Sequence, residues 1–499
     1  MMAAPMSRRR FLAGAAGGAA AVAAAGAVTG CTGGGRRSGR AVLPAGGPAP
    51  GRPIVVGCVT PMTGPYAAIG QIVAVGLRAA TRHIATDLGG SLDGYTPRIV
   101  MADAPLTPAD GQQAYASLAA QGCDAILWCG SPGLVESLPQ IVANLTPVIA
   151  VGTDLQNGAP ANPEVPNLST SDGAGFPVFQ TSISDASALD AILDYAAHNR
   201  GFTKAALLSS MIAAPNAANS FQSACNTYGI VNVGTTPFDT SAGPPDLTAA
   251  IAALRTSGAE AVVVLGAAPD AAAAAAALDA AGARYVDTPA AKQRGFAPML
   301  MGSPAATASS LFARLAGAHA ATGTIGASTL GAVVGLPDAP LRSWIKRFVV
   351  GYNGGIPQGG EDGPADALAA VLMAAATAES TNGADIVAGL ESGFTVQFAT
   401  PSGFRFGPGQ HLSAIAGDVC LQTLERSPEP TYDLGADWGA VFPRGYRTPD
   451  LLVDPTLAAN RLAQPDLMAR VVALRYGISS QAAYQGGDQA KMRACAAVH

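Results

Sequence analysis

The stretch Pro53-Ile-Val-Val-Gly-Cys-Val59, followed by Thr60-Pro-Met-Thr-Gly-Pro65, decides the fold. Its first part is an almost continuous apolar run, which is typical of a strand buried on both faces of a parallel sheet. The turn residues then end that strand, and a helical pattern runs from about Tyr66 to Leu88 before Gly89 and Gly90. A buried strand followed at once by a helix predicts an α/β fold.

The same alternation continues along the chain and then starts again. The first half adds strands and helices at Arg98–Ala102, Pro108–Gly122, Ala125–Trp128, a helix opened by Ser131 as N-cap and Pro132, and Pro147–Val151. After Phe179-Gln-Thr-Ser182 the second half has strands at Ala205–Ser209, Ile230–Val233, Ala261–Leu265 and Pro298–Met301, and helices at Ala186–His198, Asn216–Tyr228, Leu247–Thr256 and Asp270–Ala281. This pattern predicts two lobes, each a doubly wound parallel sheet, with a cleft between them.

The N-terminus has the pattern of an export signal. Ser7-Arg-Arg-Arg-Phe-Leu12 precedes an apolar run from Ala13 to Val28, and a basic segment before an apolar one is typical of secretion signals. The arginine pair before Phe-Leu resembles the twin-arginine signal of proteins that are exported folded. Val28-Thr-Gly-Cys31 resembles the bacterial lipobox, which implies cleavage before Cys31 and a diacylglycerol on its thiol. An uncleaved membrane helix and an ordinary signal are the alternatives, although the Gly/Ala-rich run is weakly apolar for a span.

The segment after the lipobox is predicted to be a flexible tether, because residues 31–51 are rich in Gly, Pro, Ser and Arg. Its basic run, Gly35–Arg40, is either a solvated linker or a contact for anionic lipid headgroups. No second hydrophobic span follows in the sequence. We therefore expect everything after Cys31 to lie outside the cytoplasm, held at the cell membrane by the lipid.

Charge and cysteine usage narrow the function classes. The net charge is −5, and loss of residues 1–30, with three arginines and no acid, makes it −8. Nucleic-acid binding needs a basic footprint, and none is visible. The six cysteines after Cys31 have irregular spacings without C-x-x-C, which argues against zinc; free buried thiols are favoured, with a Cys58–Cys129 bridge as the alternative. We expect a monomer without metal or cofactor.

Five stretches of the chain carry a family resemblance. They are Ile54–Gly70, which includes Thr63–Gly70; Asp103 with Pro105 and Pro108; Gly130-Ser131; Phe179–Ser182 with Asp185; and Phe238-Asp239 with Pro245-Asp-Leu-Thr248. In this order they resemble the leucine/isoleucine/valine-binding protein family, which consists of type I periplasmic-binding-fold receptors of ABC importers. The resemblance covers about residues 52–430. It implies that the chain captures a small molecule by hinge closure and delivers it to a membrane permease.

The resemblance also implies a domain organisation, with crossovers between lobes near 178–182, 325–330 and 414–418. The expected segments are a signal peptide (1–30), the tether (31–51), lobe one (52–180 and 328–415), lobe two (181–327 and 416–430) and a C-terminal extension (431–499). Residues 341–376 would return to lobe one, with Trp344, Phe348 and Tyr352 on one helix and another helix after Asp366. A last helix is expected near Pro465–Tyr476.

The candidate ligand-binding residues follow from the same resemblance. In that family a serine hydroxyl and helix N-terminal amides hold the ligand's carboxylate, and Gly130 and Ser131 match that place. Ser131 alternatively serves only as an N-cap. Ile69 stands where the family often has an aromatic residue over the ligand. The full expected set lies in loops of both lobes and comprises Tyr66, Ile69, Gly130, Ser131, Gly152, Thr153, Asp154, Ala214, Ala267 and Ser303.

Two loops depart from the pattern of the family's amino-acid binders. Met211–Asn216 lacks their tyrosine, and Gly302-Ser-Pro304 lacks the carboxylate that pairs with the ligand's ammonium. A buried ammonium without a countercharge is costly. The sequence therefore predicts a less polar ligand, such as a small carboxylate or amide, unless Asp154, Asp270 or Glu361 supplies the charge.

Two other functions remain open from the sequence. An extracellular sensor that reports ligand to a signalling partner would have the same fold. Cys129-Gly-Ser-Pro-Gly133 partly resembles the nucleophile elbow of serine hydrolases, with Ser131 as nucleophile, but Cys129 replaces the first glycine of that motif. His198, His319 and His411 are the candidate bases, and none lies in a recognisable motif, so we expect no enzyme.

Overall fold

The first lobe is built on a parallel sheet in the computed structural model. The structure describes residues 52–155, 166, 173–181, 184–214, 216–283, 296–303, 305–307, 310–316, 319, 324–329, 361–396, 398–399, 404–409, 411–412, 419–424 and 438–441. In chain order the first elements are β1 (Arg52–Thr60), a 3-10 turn (Gly64–Tyr66), α1 (Ala67–Asp87), β2 (Tyr95–Asp103), α2 (Pro108–Ala120), β3 (Ala125–Cys129), α3 (Leu134–Asn144), β4 (Val148–Val151) and β5 (Val178–Gln180). The strands form one five-stranded sheet in the order β2-β1-β3-β4-β5. All its neighbours pair in parallel, as the buried apolar runs predict.

The second lobe repeats this plan on a larger sheet. Its elements are α4 (Asp185–Asp194), β6 (Lys204–Ser210), α5 (Ala217–Tyr228), β7 (Val231–Phe238), α6 (Thr248–Ser257), β8 (Ala261–Leu265), α7 (Ala268–Ala280), β9 (Met299–Gly302), α8 (Ser310–Ala316) and β10 (Ile325–Thr329). The chain then forms α9 (Asp362–Ala378), α10 (Gly383–Glu391), the short strands β11 (Thr395–Val396) and β12 (Phe404–Arg405), β13 (Val419–Leu424) and β14 (Trp438–Val441). The second sheet has seven strands in the order β14-β13-β10-β9-β8-β6-β7. Two of its pairs, β10 with β13 and β13 with β14, are antiparallel, and the others are parallel.

The helices α9 and α10 pack on the first sheet, although they follow the second sheet in the sequence. Residues of α9 such as Leu368 and Leu372 share one buried cluster with Val56 and Ile149 of the first sheet. All twelve residues from Pro364 to Ala375 are buried, which an apolar, alanine-rich helix allows on every side. The chain therefore returns to the first lobe. The two-lobed, doubly wound fold is confirmed.

Three local predictions need correction. The helix after β3 does not begin at Ser131-Pro132: it begins at Leu134, with Gly133 as N-cap. Gly130 and Gly133 have positive φ angles of 67° and 91°, which an α-helix does not contain. Residues 130–133 therefore form a loop between β3 and α3. The return helix starts at Asp362, four residues before Asp366, and β2 starts at Tyr95 rather than Arg98.

The remaining structural predictions concern the second crossover, the cysteines and residues that lie outside the described part of the chain. Residues 325–329, expected near the second crossover, form β10 of the second sheet, and the strand β14 adds Trp438–Val441, beyond position 430, to the same sheet. Cys58, Cys123, Cys129 and Cys225 are free thiols, with Cys58 and Cys129 sulfurs 3.9 Å apart, in agreement with the favoured alternative. The signal, Cys31, the tether, the helix of Trp344, the crossover at 414–418 and the helix near 465–476 lie outside the described residues.

The described part of the chain contains neither a membrane-spanning helix nor a cluster of metal ligands. None of its helices has both the length and the apolar character needed to cross a bilayer. Within the same residues, no group of three or more His, Cys, Asp or Glu side chains is arranged to hold a metal ion.

Candidate ligand-binding site between the lobes

The loop between β1 and α1 carries the first candidate residues, and one carboxylate fixes it. Asp103, the last residue of β2, accepts hydrogen bonds from the backbone N–H of Met62 at 2.7 Å and of Thr63 at 3.2 Å. Its other oxygen accepts the Thr63 hydroxyl at 2.5 Å. A Cβ on Gly70 would lie 2.2 Å from the Pro61 carbonyl oxygen, so only glycine lets α1 start this close to the loop.

Tyr66, at the end of that loop, crosses to the second lobe. Its buried hydroxyl donates to Asp270 Oδ1 at 2.6 Å and is also hydrogen bonded to Thr240. Thr240 Oγ1 lies 3.3 Å from Ser210 Oγ, and Asp270 Oδ2 accepts the Ala267 N–H at 2.8 Å. Ser210, Thr240 and Asp270 are all buried. They lie at the carboxyl ends of three strands: Ser210 is the last residue of β6, Thr240 follows β7, and Asp270 is in the first turn of α7, which follows β8. We call these three residues the Tyr66 socket.

Burial sets the protonation behaviour of the two acidic groups in this contact. It raises the pKa of the Asp270 carboxyl, while the hydrogen bonds from Tyr66 and from the Ala267 N–H oppose that rise. Burial also raises the pKa of the Tyr66 phenol far above its usual value, and the nearby Asp270 charge adds to this effect. Tyr66 therefore stays a neutral hydrogen-bond donor toward Asp270.

Apolar contacts surround this hydrogen bond. Ile72 is a buried member of the second lobe's cluster around Phe238 and Leu247, and Ile69 packs against that cluster. A methyl carbon of Ile69 lies 3.1 Å from the position of a Cβ on Gly130, so Ile69 also touches the loop after β3. The start of α1 thus brings the carboxyl ends of both sheets together, which is where doubly wound proteins bind ligands.

The predicted carboxylate donors of the first lobe are engaged within that lobe. The Gly130 N–H donates to the Val151 carbonyl at 3.1 Å, and the Ser131 hydroxyl donates to the Ala104 carbonyl at 3.1 Å. Ser131 is only 3% exposed, and its own carbonyl accepts the Trp128 indole N–H at 2.8 Å. Ligand contact by these residues stays a prediction. In this structure the Gly130 N–H and the Ser131 hydroxyl stabilise the loop itself, which sequence reasoning did not predict.

The loop after β4 contains both an exposed glycine and a hydrogen-bonded carboxylate. Gly152 is exposed, with open space where a side chain would stand, and Thr153 is half-buried. Asp154 instead accepts hydrogen bonds from the Gln180 amide at 3.3 Å and from the Asp185 N–H at 2.7 Å. Its carboxylate thereby joins the first lobe to the start of α4, at the crossover.

Of the three predicted ligand-binding residues of the second lobe, only Ala267 lies at the contact between the lobes. Ala214 belongs to the hydrophobic core, and Ser303 is buried, with its carbonyl accepting the N–H groups of Ala306 and Thr307. Ala267 adjoins the Tyr66 socket. Glu361, at the N-cap of α9, is also buried, whereas Asp270 alone of the three considered countercharges lies at this inter-lobe contact.

Sequence reasoning missed Ser210 and Thr240. Ser210 is the last residue of β6, and Thr240 follows two residues after β7. The rule that binding groups collect at the carboxyl ends of strands would have included both.

A buried histidine ties β5, the last strand of the first sheet, to the end of α10. The His411 Nε2 lies 2.7 Å from Glu391 Oε1, and its Nδ1 lies 3.0 Å from the Val178 carbonyl. The Gln180 N–H donates to the His411 carbonyl, and the Phe179 ring stacks on the imidazole at 4.1 Å. These contacts clamp β5 to the segment after β12, at the first crossover.

The geometry gives no support to a Ser131 hydrolase. The Ser131 hydroxyl donates to a backbone carbonyl, and the candidate bases have other partners. His198 lies against Asp194, His319 against Asp279, and His411 against Glu391. Each imidazole is thus engaged away from the loop after β3.

A family model described as periplasmic binding protein matches residues 53–415, which spans both lobes. The chain belongs to this family. No curated protein sequence shows significant similarity to it. The solved structures that resemble it confirm the type I periplasmic-binding fold.

Three of these structures illustrate the range of the fold. The leucine-binding protein LivK of Thermotoga maritima is 17% identical, with 78% of this chain and 99% of that one covered and a TM-score of 0.58. A branched-chain amino acid ABC transporter protein of Thermus thermophilus, with bound valine, is 16% identical, with coverage of 79% and 97% and a TM-score of 0.60. An ABC transporter solute-binding protein of Rhodopseudomonas palustris, in complex with 3,4-dihydroxybenzoic acid, is 16% identical, with coverage of 75% and 93% and a TM-score of 0.59.

Proposed function

We propose that this periplasmic binding protein is the extracytoplasmic solute receptor of an ABC importer and captures a small organic molecule between its lobes. The contact between Tyr66 and Asp270 carries the proposal, because it brings the carboxyl ends of both sheets against each other. A ligand that touches both lobes favours the closed form by its differential affinity. Periplasmic binding proteins bind rather than transform their ligands, and we propose the same here.

The ligand class follows from the charges at this contact. Both Asp270 oxygens are hydrogen bonded, Asp154 is tied to the crossover, and the loop at Ser303 has no acid. None of these groups offers a ready partner for an ammonium, and a buried ammonium without one is costly. We therefore propose a small carboxylate or amide without an ammonium. The aromatic acid in the Rhodopseudomonas structure belongs to this chemical class.

A ligand screen tests this proposal. The soluble chain from residue 32 onward is screened by thermal shift against amino acids, amides, aliphatic acids and aromatic acids, and hits are measured by calorimetry. We expect a hit among the acids or amides. Submicromolar binding of leucine or valine would contradict the ligand class, and a screen without any stabilising solute would contradict the receptor function.

We also propose that the protein is exported through the twin-arginine signal and anchored by a lipid on Cys31. The support is the lipobox Val28-Thr-Gly-Cys31 followed by the Gly/Pro-rich tether. The variant Cys31→Ala should move the protein from the membrane fraction to the soluble fraction, whereas Cys123→Ala, in the first lobe, should not. Equal membrane retention of both variants would exclude the anchor.

A further inference from the structure

Three strand ends of the second lobe converge on one hydroxyl of the first lobe. Ser210, Thr240 and Asp270 lie at the carboxyl ends of the neighbouring strands β6, β7 and β8, and each is at most 7% exposed. The phenol of Tyr66 enters among them from the loop before α1 and is itself 7% exposed. A buried polar group needs a partner, and here Asp270 and Thr240 find one in the opposite lobe, while Ser210 pairs with Thr240 and the Ala213 N–H.

The hydroxyl groups in this contact form a chain in which each donates to the next and the last donates to Asp270. Tyr66 donates to Asp270, so Thr240 donates to the Tyr66 oxygen, and Ser210 in turn donates to Thr240. Ser210 Oγ is also held by the N–H of Ala213 at 3.0 Å. Asp270 is held by the Ala267 N–H. Both ends of the chain of hydroxyls are therefore fixed to the backbone of the second lobe, and such chains strengthen their members.

A buried carboxylate ordinarily pairs with a cation. Asp270 is 1% exposed, and both its oxygens already accept hydrogen bonds, one from Tyr66 and one from the backbone. An incoming ammonium would have to compete with the phenol for this buried carboxylate, and displacing the phenol would also break its bond to Thr240. Tyr66 thus takes the place that a cationic group of a ligand would need.

We propose that Tyr66 is a specificity-determining residue: in the closed protein its hydroxyl occupies Asp270 in place of a ligand's ammonium, so the lobes close on ligands without an ammonium. This inference rests on the proposed solute-binding function. It assigns Asp270 to closure of the lobes rather than to the ligand.

The test compares ligands that differ only in the ammonium. The pairs are 4-methylpentanoate with leucine and 3-phenylpropanoate with phenylalanine, measured by calorimetry on the soluble chain. We expect the wild type to bind the acid of at least one pair tenfold or more tightly than the amino acid. Tyr66→Ala should reduce that preference at least tenfold, and Asp270→Asn added to Tyr66→Ala should restore it. An unchanged preference in Tyr66→Ala, or a wild type that binds the amino acid as tightly as the acid, overturns the inference.

A second arm needs no ligand and separates this inference from the proposed function. Small-angle X-ray scattering gives the radius of gyration of the ligand-free wild type, Tyr66→Phe and Tyr115→Phe. Tyr115 is the matched control, because its buried hydroxyl lies 3.0 Å from Thr146 Oγ1 within the first lobe. Only Tyr66→Phe should expand the protein. Equal radii for all three proteins overturn the inference even if a ligand is found; expansion of Tyr66→Phe supports it even if neither pair binds.

Discussion

At the facing ends of the two sheets, the lobes satisfy their polar groups in different ways. The first lobe pairs the Gly130 N–H with Val151 and the Ser131 hydroxyl with Ala104, all within itself. The second lobe satisfies the Tyr66 socket through a side chain of the other lobe. The hydrogen bonds of Gly130 and Ser131 therefore hold in any arrangement of the lobes, whereas those of the Tyr66 socket to Tyr66 depend on closure.

Replacement of the acid at the centre of the Tyr66 socket should have the largest effect. Asp270→Ala removes the acceptor of Tyr66 and of the Ala267 N–H, and hydrogen bonds to charged groups contribute about 1.5–3 kcal/mol each. We expect the free energy of unfolding to fall by about 3 kcal/mol, measured by urea denaturation followed by circular dichroism.

The control is Asp110→Ala in the first lobe. Asp110 occupies the same third position of its helix, α2, and accepts the Thr107 N–H at 2.8 Å, but its hydrogen bonds run to Leu106 and Thr107 of the first lobe. Loss of a helix cap costs about 1 kcal/mol. Equal losses in the two variants would mean that the bond to Tyr66 adds no stability.

Loss of a first-lobe hydroxyl should lower stability without moving the lobes. Ser131→Ala leaves the Ala104 carbonyl without its side-chain donor, and an unsatisfied buried acceptor costs about 1–3 kcal/mol. We expect the lower half of that range and an unchanged radius of gyration in small-angle scattering. An expansion comparable to that of Tyr66→Phe would contradict the contrast between the lobes.

The fold was largely predictable because each strand and helix carries its own local signal. Ala261–Leu265 is apolar throughout and was predicted with its observed bounds. The start of α3 was not predictable in this way. Its position depends on the packing of Gly111 of α2, where a Cβ would lie 2.1 Å from the Pro132 carbonyl oxygen, and no local pattern shows that contact.

The candidate site was predictable only as a set of loops. The strand-end rule points to the neighbourhoods of Gly130, Gly152 and Ala267, and the structure places these at the facing ends of the sheets. The bond between Tyr66 and Asp270 joins positions 204 residues apart. It depends on how two separately formed lobes meet, and neither residue's local sequence contains that information.

The pH dependence of the free energy of unfolding should show the titration of the buried Asp270 carboxyl. Because burial raises the Asp270 pKa, the folded state holds this proton more tightly than the unfolded chain. Its contribution is fully present below the unfolded value of about 3.9 and is lost as the pH rises through the higher folded value. The stability of the wild type relative to Asp270→Asn should therefore fall from about pH 4 upward. A difference that stays constant to pH 8, measured by urea denaturation, would show that the acid titrates alike in both states.

The smallest expected loss of stability comes from the removal of a single hydroxyl, and it distinguishes a loss of stability from a loss of contact between the lobes. Thr240→Val removes the hydroxyl that donates to Tyr66, and Thr146→Val removes the hydroxyl beside Tyr115 in the first lobe. Each change keeps the shape of the side chain and should cost about 1 kcal/mol, the usual contribution of one neutral hydrogen bond. Only the Thr240 bond crosses between the lobes, so only Thr240→Val should also increase the radius of gyration of the ligand-free protein. If both variants lose the same stability and neither expands, the socket holds Tyr66 in place but does not hold the lobes together, and closure depends on the apolar contacts of Ile69 and Ile72 instead.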